Sequence, residues 1–301
     1  MTDKKRLPNL FILGAPKCGT TAMSSYLAGH PDVFMSEQAG VKEPTYFCAD
    51  RWYAHQQHPR KEDEYLAVFD EAPRDTKYWG EASPRYLRSD IAVPTILQTC
   101  GAPRFVVMLR NPVQLVASMY GQRVKEGAED QPLEKAWRLQ WDRLEGKHLP
   151  STIDDGRFLE YGYIAQLGQQ MQQLLNRIDR KSLHCIFYDD FKENPGNSYR
   201  QLLTFLGLPD DGREDFSTRN ASVQVRSPKL NVAVKRLAGV RDRLGLPKGM
   251  GISKAFKRLN TGPGRTQLRP EFRRELQQYF KDDIDLLAEL TGRDLSQWYQ
   301  G

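Results

Sequence analysis

The sequence predicts a single α/β domain: a P-loop-type, mostly parallel central sheet with helices on both faces and helical insertions between its strands. Three observations predict it. Short apolar runs bounded by turn residues recur along the chain, and each is followed by a stretch of helical periodicity, the alternation that βαβ units produce. The first run leads into a glycine-bearing turn, "LGAPKCGTTA", of the kind that joins a strand to a helix around a phosphate. The 301 residues, 39% hydrophobic and 10% aromatic, are enough to bury a packed core, so global disorder is excluded.

The elements follow in order. "NLFILGA" reads as a buried strand, and "TTAMSSYLAGHP" as the helix after it, ending at Gly29 with Pro31 beyond. "FVVMLRNP", residues 105–112, is a second apolar strand, with Pro112 placed for the first turn of the helix "VQLVASMYGQRVKEG". A helical insertion covers about residues 120–160. One amphipathic helix is expected from Ile164, Leu167, Met171, Leu174, Leu175 and Ile178, all at helical spacing and all core candidates. "LHCIFYDDF", residues 183–191, is the third strand, followed by Pro195 and the helix "GNSYRQLLTFLGL", which closes with Gly207 and Pro209. The stretch "RLGLPKGMGISKAFKRLNTGPGR", residues 243–265, is too rich in Gly and Pro for a continuous helix. No repeat or low-complexity tract is visible, so residues 1–301 read as one domain.

Composition narrows the function classes. No segment approaches the roughly 20 apolar residues of a membrane span, and the N-terminal apolar run is too short for a secretory leader. Cys18, Cys48, Cys100 and Cys185 are scattered, without a CxxC pair or His/Cys spacing for a metal, so neither disulfides nor a zinc site is expected and a reducing cytoplasm is the simplest location. The net charge of +6 conceals an asymmetry: residues 226–274 carry fourteen Lys and Arg against Asp242 and Glu271, a local +12 that leaves −6 for the remainder. Such a segment reads as a solvated face, as an anion-binding lid, or as a patch for a nucleic acid or a membrane surface.

The turn carries the chemistry. Gly14, Gly19, Thr20 and Thr21 have the spacing of G-x-x-x-x-G-K-[ST], except that Thr20 occupies the lysine position and the lysine stands at 17. Backbone N–H groups, the positive end of the following helix and two hydroxyls can bind phosphate oxygens, and Lys17 adds a mobile charge. Ligands of such sheets sit beyond the carboxyl ends of the strands, so Arg110, ending the second strand, faces the same crevice. A nucleotide hydrolase would put an Asp there for Mg²⁺; here Arg110 and Asn111 stand, and cations take the metal's place.

Taken together, "APKCGTTAMSSYLAGHP", "GVKEPTYF", "GEASPRYL", "LRNPVQLVASMY" and "LAELTGRDLSQWY" resemble the sulfotransferases that use 3'-phosphoadenosine 5'-phosphosulfate, in the bacterial branch related to the heparan sulfate enzymes. The resemblance runs from about residue 9 to 299. It implies that the loop of Pro16, Lys17, Cys18, Gly19, Thr20, Thr21 and Ala22 holds the 5'-phosphosulfate, with Lys17 also catalytic, neutralising the bridging oxygen as the sulfuryl group leaves. It implies that Arg110 and Ser118, in element 105–120, bind the 3'-phosphate, with Arg226 or alternatively Lys229 from the basic segment beside them. It implies Glu43 of "VKEPTYF" as general base, against the plainer reading of a loop carboxylate paired with Lys42. The acceptor would be a carbohydrate or small molecule, the product adenosine 3',5'-bisphosphate, and neither a metal nor a nucleic acid partner is expected. Two departures stand out: Gln114-Leu115 replace the family's Glu-Arg, and Ala82 replaces a lysine, so that second cation is missing or is supplied by another residue such as Lys42 or Arg85.

Other residues have plainer readings. His30 is a turn and packing residue, His55 and His58 lie in a polar stretch, Glu81 is a buried acceptor that orders the site or a supporting carboxylate, and Trp137 and Trp141 are core or an acceptor platform. A different function class stays open beside the transferase: a P-loop nucleotide kinase or nucleotide-binding regulatory module, its basic segment serving a partner or a peripheral membrane contact.

Overall fold

The computed structural model describes residues 6–51, 61–73, 75–217, 223–225, 227–243, 260–263 and 266–300. Five parallel strands form the central sheet: β1 (Leu10–Gly14), β2 (Val33–Met35), β3 (Tyr78–Ala82), β4 (Arg104–Leu109) and β5 (Leu183–Phe187), in the order β2-β3-β1-β4-β5. Every residue of β1 and all of β4 beyond Arg104 are buried, as expected of strands covered on both faces. Chain order explains the crevice. After β1 the chain adds β3 and β2 on one side, then crosses to add β4 and β5 on the other, so connections leave the end of β1 in opposite directions. Sequence reading finds β1, β4 and β5 from their apolar runs but not β2, three residues long, nor β3, "YWGEA", whose Gly80 and Glu81 break the pattern.

Helix α1 (Thr20–Leu27) follows the glycine turn. Between the outer strands lie the short α2 (Glu62–Leu66) and α3 (Ala92–Cys100). Helix α4 (Pro112–Glu126) begins as the sequence predicts, with Pro112 in its first turn and the Asn111 side chain accepting the Val113 N–H at 3.0 Å; it ends at Gly127 in the left-handed region, φ 74°. The insertion is α5 (Leu133–Leu144), held by a bidentate Arg143–Glu129 pair at 2.7 and 2.8 Å, both side chains wholly buried and Tyr161 donating to the same carboxylate. Trp137 is buried, but Trp141 is 49% exposed.

The amphipathic helix expected over 164–178 is instead two, α6 (Tyr161–Ala165) and α7 (Leu167–Leu175), broken at Gln166. The cause is tertiary: the Asp283 carboxylate accepts the N–H groups of Gly168 and Gln169, each at 2.9 Å, capping a new helix start. Ile164, Leu167, Met171 and Leu174 are core as predicted, with Leu175 and Ile178 packed at its margin. Helices α8 (Tyr188–Glu193) and α9 (Pro195–Leu206) follow β5. A two-stranded antiparallel ribbon, β6 (Val223–Val225) with β7 (Thr261–Pro263), packs near α4 and flanks α10 (Pro228–Arg243). Helices α11 (Pro270–Tyr279) and α12 (Lys281–Thr291) close the chain, and Trp298 donates its indole N–H to Asp189 at 2.9 Å while its carbonyl accepts from Asn111. No described helix is long and apolar enough to cross a membrane. Most of the basic stretch 243–265 lies outside the described residues.

His184 in β5 stacks on Phe205 at 5.3 Å, and its buried Nε2 has no hydrogen-bond partner among the described residues. Burial first, and Arg180 second, hold its pKa down to about 4, so the folded protein binds fewer protons than the unfolded chain between that value and the ordinary 6.5. The stability from a neutral His184 is therefore complete above pH 6.5 and lost as pH falls toward 4, by up to about 3 kcal/mol. Urea unfolding of wild type and His184→Phe should show the variant gaining relative stability over that acidic window; parallel pH curves would contradict this.

Candidate active site

The turn after β1 is fixed from several sides. Gly14 (φ 148°) and Gly19 (φ 95°) take conformations that side chains rarely adopt, and a Cβ at Gly19 would lie 2.8 Å from the Phe191 ring and 3.2 Å from Met108. The Ala15 N–H donates to Met108 O at 2.8 Å, tying the loop to β4. No side chain caps α1 at Gly19, and the first N–H groups of a helix have no partner within it, so Thr20 and Thr21 open a positive concavity toward the crevice. Cys18 is buried beneath, its thiol pushed up to about 12 by desolvation, and is structural.

Lys17, itself at φ 63°, carries its ammonium from the tip of the loop to Gln122 Oε1 on α4, 3.2 Å away. Partial burial and then Lys125 lower its pKa, while Glu126 pulls the other way. Arg110, at the end of β4 and 6% exposed, donates Nη1 to Lys17 O at 2.9 Å, reaches Gln114 Oε1 at 3.4 Å, and lies 4.4 Å over the ring of Tyr188 at the end of β5. Gln114, at the position where the sequence departs from the family pattern, thus meets the Arg110 guanidinium. Ser118 is partly exposed, one turn beyond Gln114 and one turn before Gln122 on the same helix.

Glu43 stands on the loop that follows the Ser36–Ala39 turn, its side chain 39% exposed, with Lys42 Nζ 4.0 Å away. That pair is long and solvated, worth little by itself. Partial desolvation raises the Glu43 pKa, although the side chain still reaches solvent; Lys42, Arg85 and Lys17 act in the opposite sense and Glu126 in the same sense. Beneath the loop, the wholly buried Glu81 accepts from Tyr65 (2.6 Å), Tyr86 (2.9 Å) and Ser83 (2.5 Å), and desolvation raises its pKa to about 7 against those hydrogen bonds. It is the buried acceptor of the sequence reading.

The tertiary structure therefore brings Lys17, the turn, Arg110, Ser118 and Glu43 to the carboxyl ends of β1, β3 and β4. Arg226, His55 and His58 lie outside the described residues. Lys229 is exposed at the start of α10, on the wall of a cleft of about 950 Å³ between α4 and α5. His30 sits away from this crevice, accepting the Asp32 N–H at Nδ1 and facing Pro209 O at Nε2, both at 3.0 Å, a packing residue as expected. Sequence reasoning misses Gln122, Lys125 and Tyr188. Gln122 was findable at helical spacing from Ser118, and Tyr188 by the strand-end argument that found Arg110. Among the described residues no cluster of His, Cys, Asp and Glu is arranged to hold a metal ion.

Comparison with known proteins gives the family and the fold. The profile of the sulfotransferase domain matches residues 7–292. The bifunctional heparan sulfate N-deacetylase/N-sulfotransferase 1 of Caenorhabditis briggsae is 29% identical over 262 residues, 85% of this chain and 28% of that protein. The membrane-associated sulfotransferase kil1 of Dictyostelium discoideum is 28% identical over 116 residues, 38% of this chain and 22% of that protein. The chain thus spans less than a third of either curated relative. The crystal structure of a sulfotransferase from Alicyclobacillus acidocaldarius superposes with a TM-score of 0.74 at 23% identity, covering 98% of this chain and 100% of that one, a likeness of fold. A family match over nearly the whole chain takes precedence over the kinase and regulatory-module readings: the chain belongs to the sulfotransferase family.

Proposed function

We propose that the protein transfers a sulfuryl group from 3'-phosphoadenosine 5'-phosphosulfate to a hydroxyl or amine of a carbohydrate or small-molecule acceptor, with Glu43 as general base. The observation that carries the reading is the glycine turn itself, with Lys17 at its tip, the uncapped start of α1 behind it and the buried Arg110 donating to Lys17 O at 2.9 Å. An acceptor proton and a departing oxygen need a base and a cation on the same reacting centre. A carboxyl whose pKa is raised is a stronger base than an unperturbed glutamate even where, as at Glu43, the side chain still reaches solvent, and a lysine with a lowered pKa is better matched to charge that develops only in the transition state. The acceptor oxygen or nitrogen attacks sulfur, its proton passes to Glu43, and the electron pair of the breaking S–O bond goes to the bridging oxygen facing Lys17. The turn's N–H groups and Thr20 and Thr21 would bind the 5'-phosphate oxygens, and Arg110 and Ser118 the 3'-phosphate, Arg110 by its fork of donors.

Sulfuryl transfer here draws its positive charge from Lys17 and Arg110, so turnover should persist in chelator. Acceptor choice is the open chemical variable. Since the C. briggsae relative is named for heparan sulfate N-sulfation, N-deacetylated heparan sulfate is the first acceptor to try, followed by a fractionated host extract with labelled donor.

If Arg110 and Ser118 read the 3'-phosphate, calorimetry should find adenosine 3',5'-bisphosphate bound about 10- to 100-fold more tightly than adenosine 5'-monophosphate, because the smaller ligand leaves buried donors unpaired. Equal affinities, or tight ATP binding that depends on Mg²⁺, would count against the donor assignment.

Glu43→Gln keeps the side chain's size and removes its basicity. Turnover should fall by about 10²- to 10⁴-fold, with the melting temperature and the affinity for adenosine 3',5'-bisphosphate unchanged. Activity within a few-fold of wild type would reduce Glu43 to a partner of Lys42.

A further inference from the structure

The loop that bears Glu43 hangs from a buried hub. Ser83 Oγ accepts the Thr45 N–H at 2.9 Å and passes its own proton to Glu81 Oε2 at 2.5 Å. Tyr86 Oη accepts the Phe47 N–H at 3.3 Å and passes its proton to Glu81 Oε1 at 2.9 Å. Tyr65 gives its proton to the same Oε1 at 2.6 Å, and its ring lies nearly parallel to that of Tyr46, 4.5 Å away at 8°. Three successive residues, Thr45, Tyr46 and Phe47, thus each touch a side chain that ends on one carboxylate.

We propose that Glu81 is the positioning residue for Glu43: through the hydroxyls of Ser83 and Tyr86 it orients the N–H groups of Thr45 and Phe47 and sets the loop that presents the base. The proposal rests on the reading of Glu43 as base. Its physical content is the direction of the bonds. Each hydroxyl has one proton, and Ser83 and Tyr86 both turn theirs inward to Glu81 while accepting a backbone N–H, with Tyr65 as a third donor. Only a group that accepts at every site can sit at the centre, and an ionised carboxylate is such a group. A glutamine there keeps one oxygen but sets an NH₂ against a hydroxyl that donates inward, so that hydroxyl must turn its proton away and accept both the NH₂ and the loop N–H, which loosens its hold on the loop. Protonating Glu81 likewise turns one acceptor site into a donor; of the groups around it, Tyr65, Tyr86, Ser83, Cys48, Cys100 and Glu43 carry no positive charge, while Arg85 and Arg88 act on Cys48 next to it.

The test compares the full-length wild type with Glu81→Gln, Glu43→Gln and the double variant. It uses 3'-phosphoadenosine 5'-phosphosulfate with N-deacetylated heparan sulfate and, separately, with water alone as acceptor. Release of adenosine 3',5'-bisphosphate should slow by about tenfold or more in kcat for Glu81→Gln, while the donor KM and the affinity for the bisphosphate stay within about threefold, since the glycine turn and Arg110 are untouched. Amide hydrogen exchange at Thr45 and Phe47 should accelerate by about tenfold or more, and in wild type the same protection should weaken as pH falls through about 7. If Glu81 acts through Glu43, the double variant is no slower than Glu43→Gln alone. A normal kcat in Glu81→Gln beside a slow Glu43→Gln overturns this proposal by itself, as does a double variant slowed by the product of the two single effects. A normal Glu43→Gln sinks the base reading and this proposal with it, and that is visible before Glu81 is changed. Should Glu81→Gln fail to fold, Ser83→Ala cuts one relay and leaves the hub charged; it should slow kcat by about threefold and expose the Thr45 amide, and unchanged values there overturn the proposal.

Discussion

The constraint on which this molecule depends is the turn between Gly14 and Thr20. A strand buried on both faces must become a helix while its N–H groups remain aimed outward, and the space for that turn is bounded by Met108 on one side and Phe191 on the other. Glycine at 14 and 19 is what allows it. The remaining site is assembled against that turn: Arg110 braces it through Lys17 O, Gln122 receives Lys17 itself, and Tyr188 supports the Arg110 guanidinium from the neighbouring strand. Sheet order places these parts at one end, because the connections diverge from β1.

Charge is distributed around the crevice unevenly by depth. Lys17, Lys42, Arg85 and Lys125 gather about Glu43 and Glu126 near the surface, where solvent tempers every interaction. Deeper, Arg110 is nearly out of reach of water and Glu81 wholly so. Glu81 keeps a carboxylate in the core against the cost of desolvation, which is why its pKa rises to about 7. That cost opposes folding as the group ionises, since the folded protein then holds its proton more tightly than the unfolded chain between the ordinary carboxylate range and about pH 7. Stability is given up there for a fixed loop geometry, a trade seen where polar groups specify one arrangement.

Helical insertion and C-terminus are anchored by polar devices of the same kind. The Arg143–Glu129 pair is excluded from solvent and completed by Tyr161, so its worth lies in fixing the approach of α5 more than in net stability. Asp283 starts α7, and Trp298 closes onto both Asn111 and Asp189, linking the chain's end to the turns that follow β4 and β5. These contacts hold the back of the site while the cleft between α4 and α5 stays open beside it.

Much of this was written locally. Apolar runs gave β1, β4 and β5, Pro112 and Gly127 bounded α4, and the glycine spacing with Lys17 placed the phosphate turn, because each depends on residues near one another in the chain. The rule about strand ends added Arg110, and motif resemblance gave it a partner in Ser118 and a base in Glu43. Tertiary structure alone decided the rest. The break at Gln166 comes from Asp283, more than a hundred residues away; β3 pairs because β1 lies beside it, although Gly80 and Glu81 interrupt its apolar run; and the three hydroxyls on Glu81 come from Tyr65, Ser83 and Tyr86, on both sides of it in sequence. Sequence determines what a backbone segment can do alone, through propensity, turn chemistry and charge. Which buried polar group finds which partner is settled only when the core closes and water is gone, since an unmet hydrogen bond becomes costly only then.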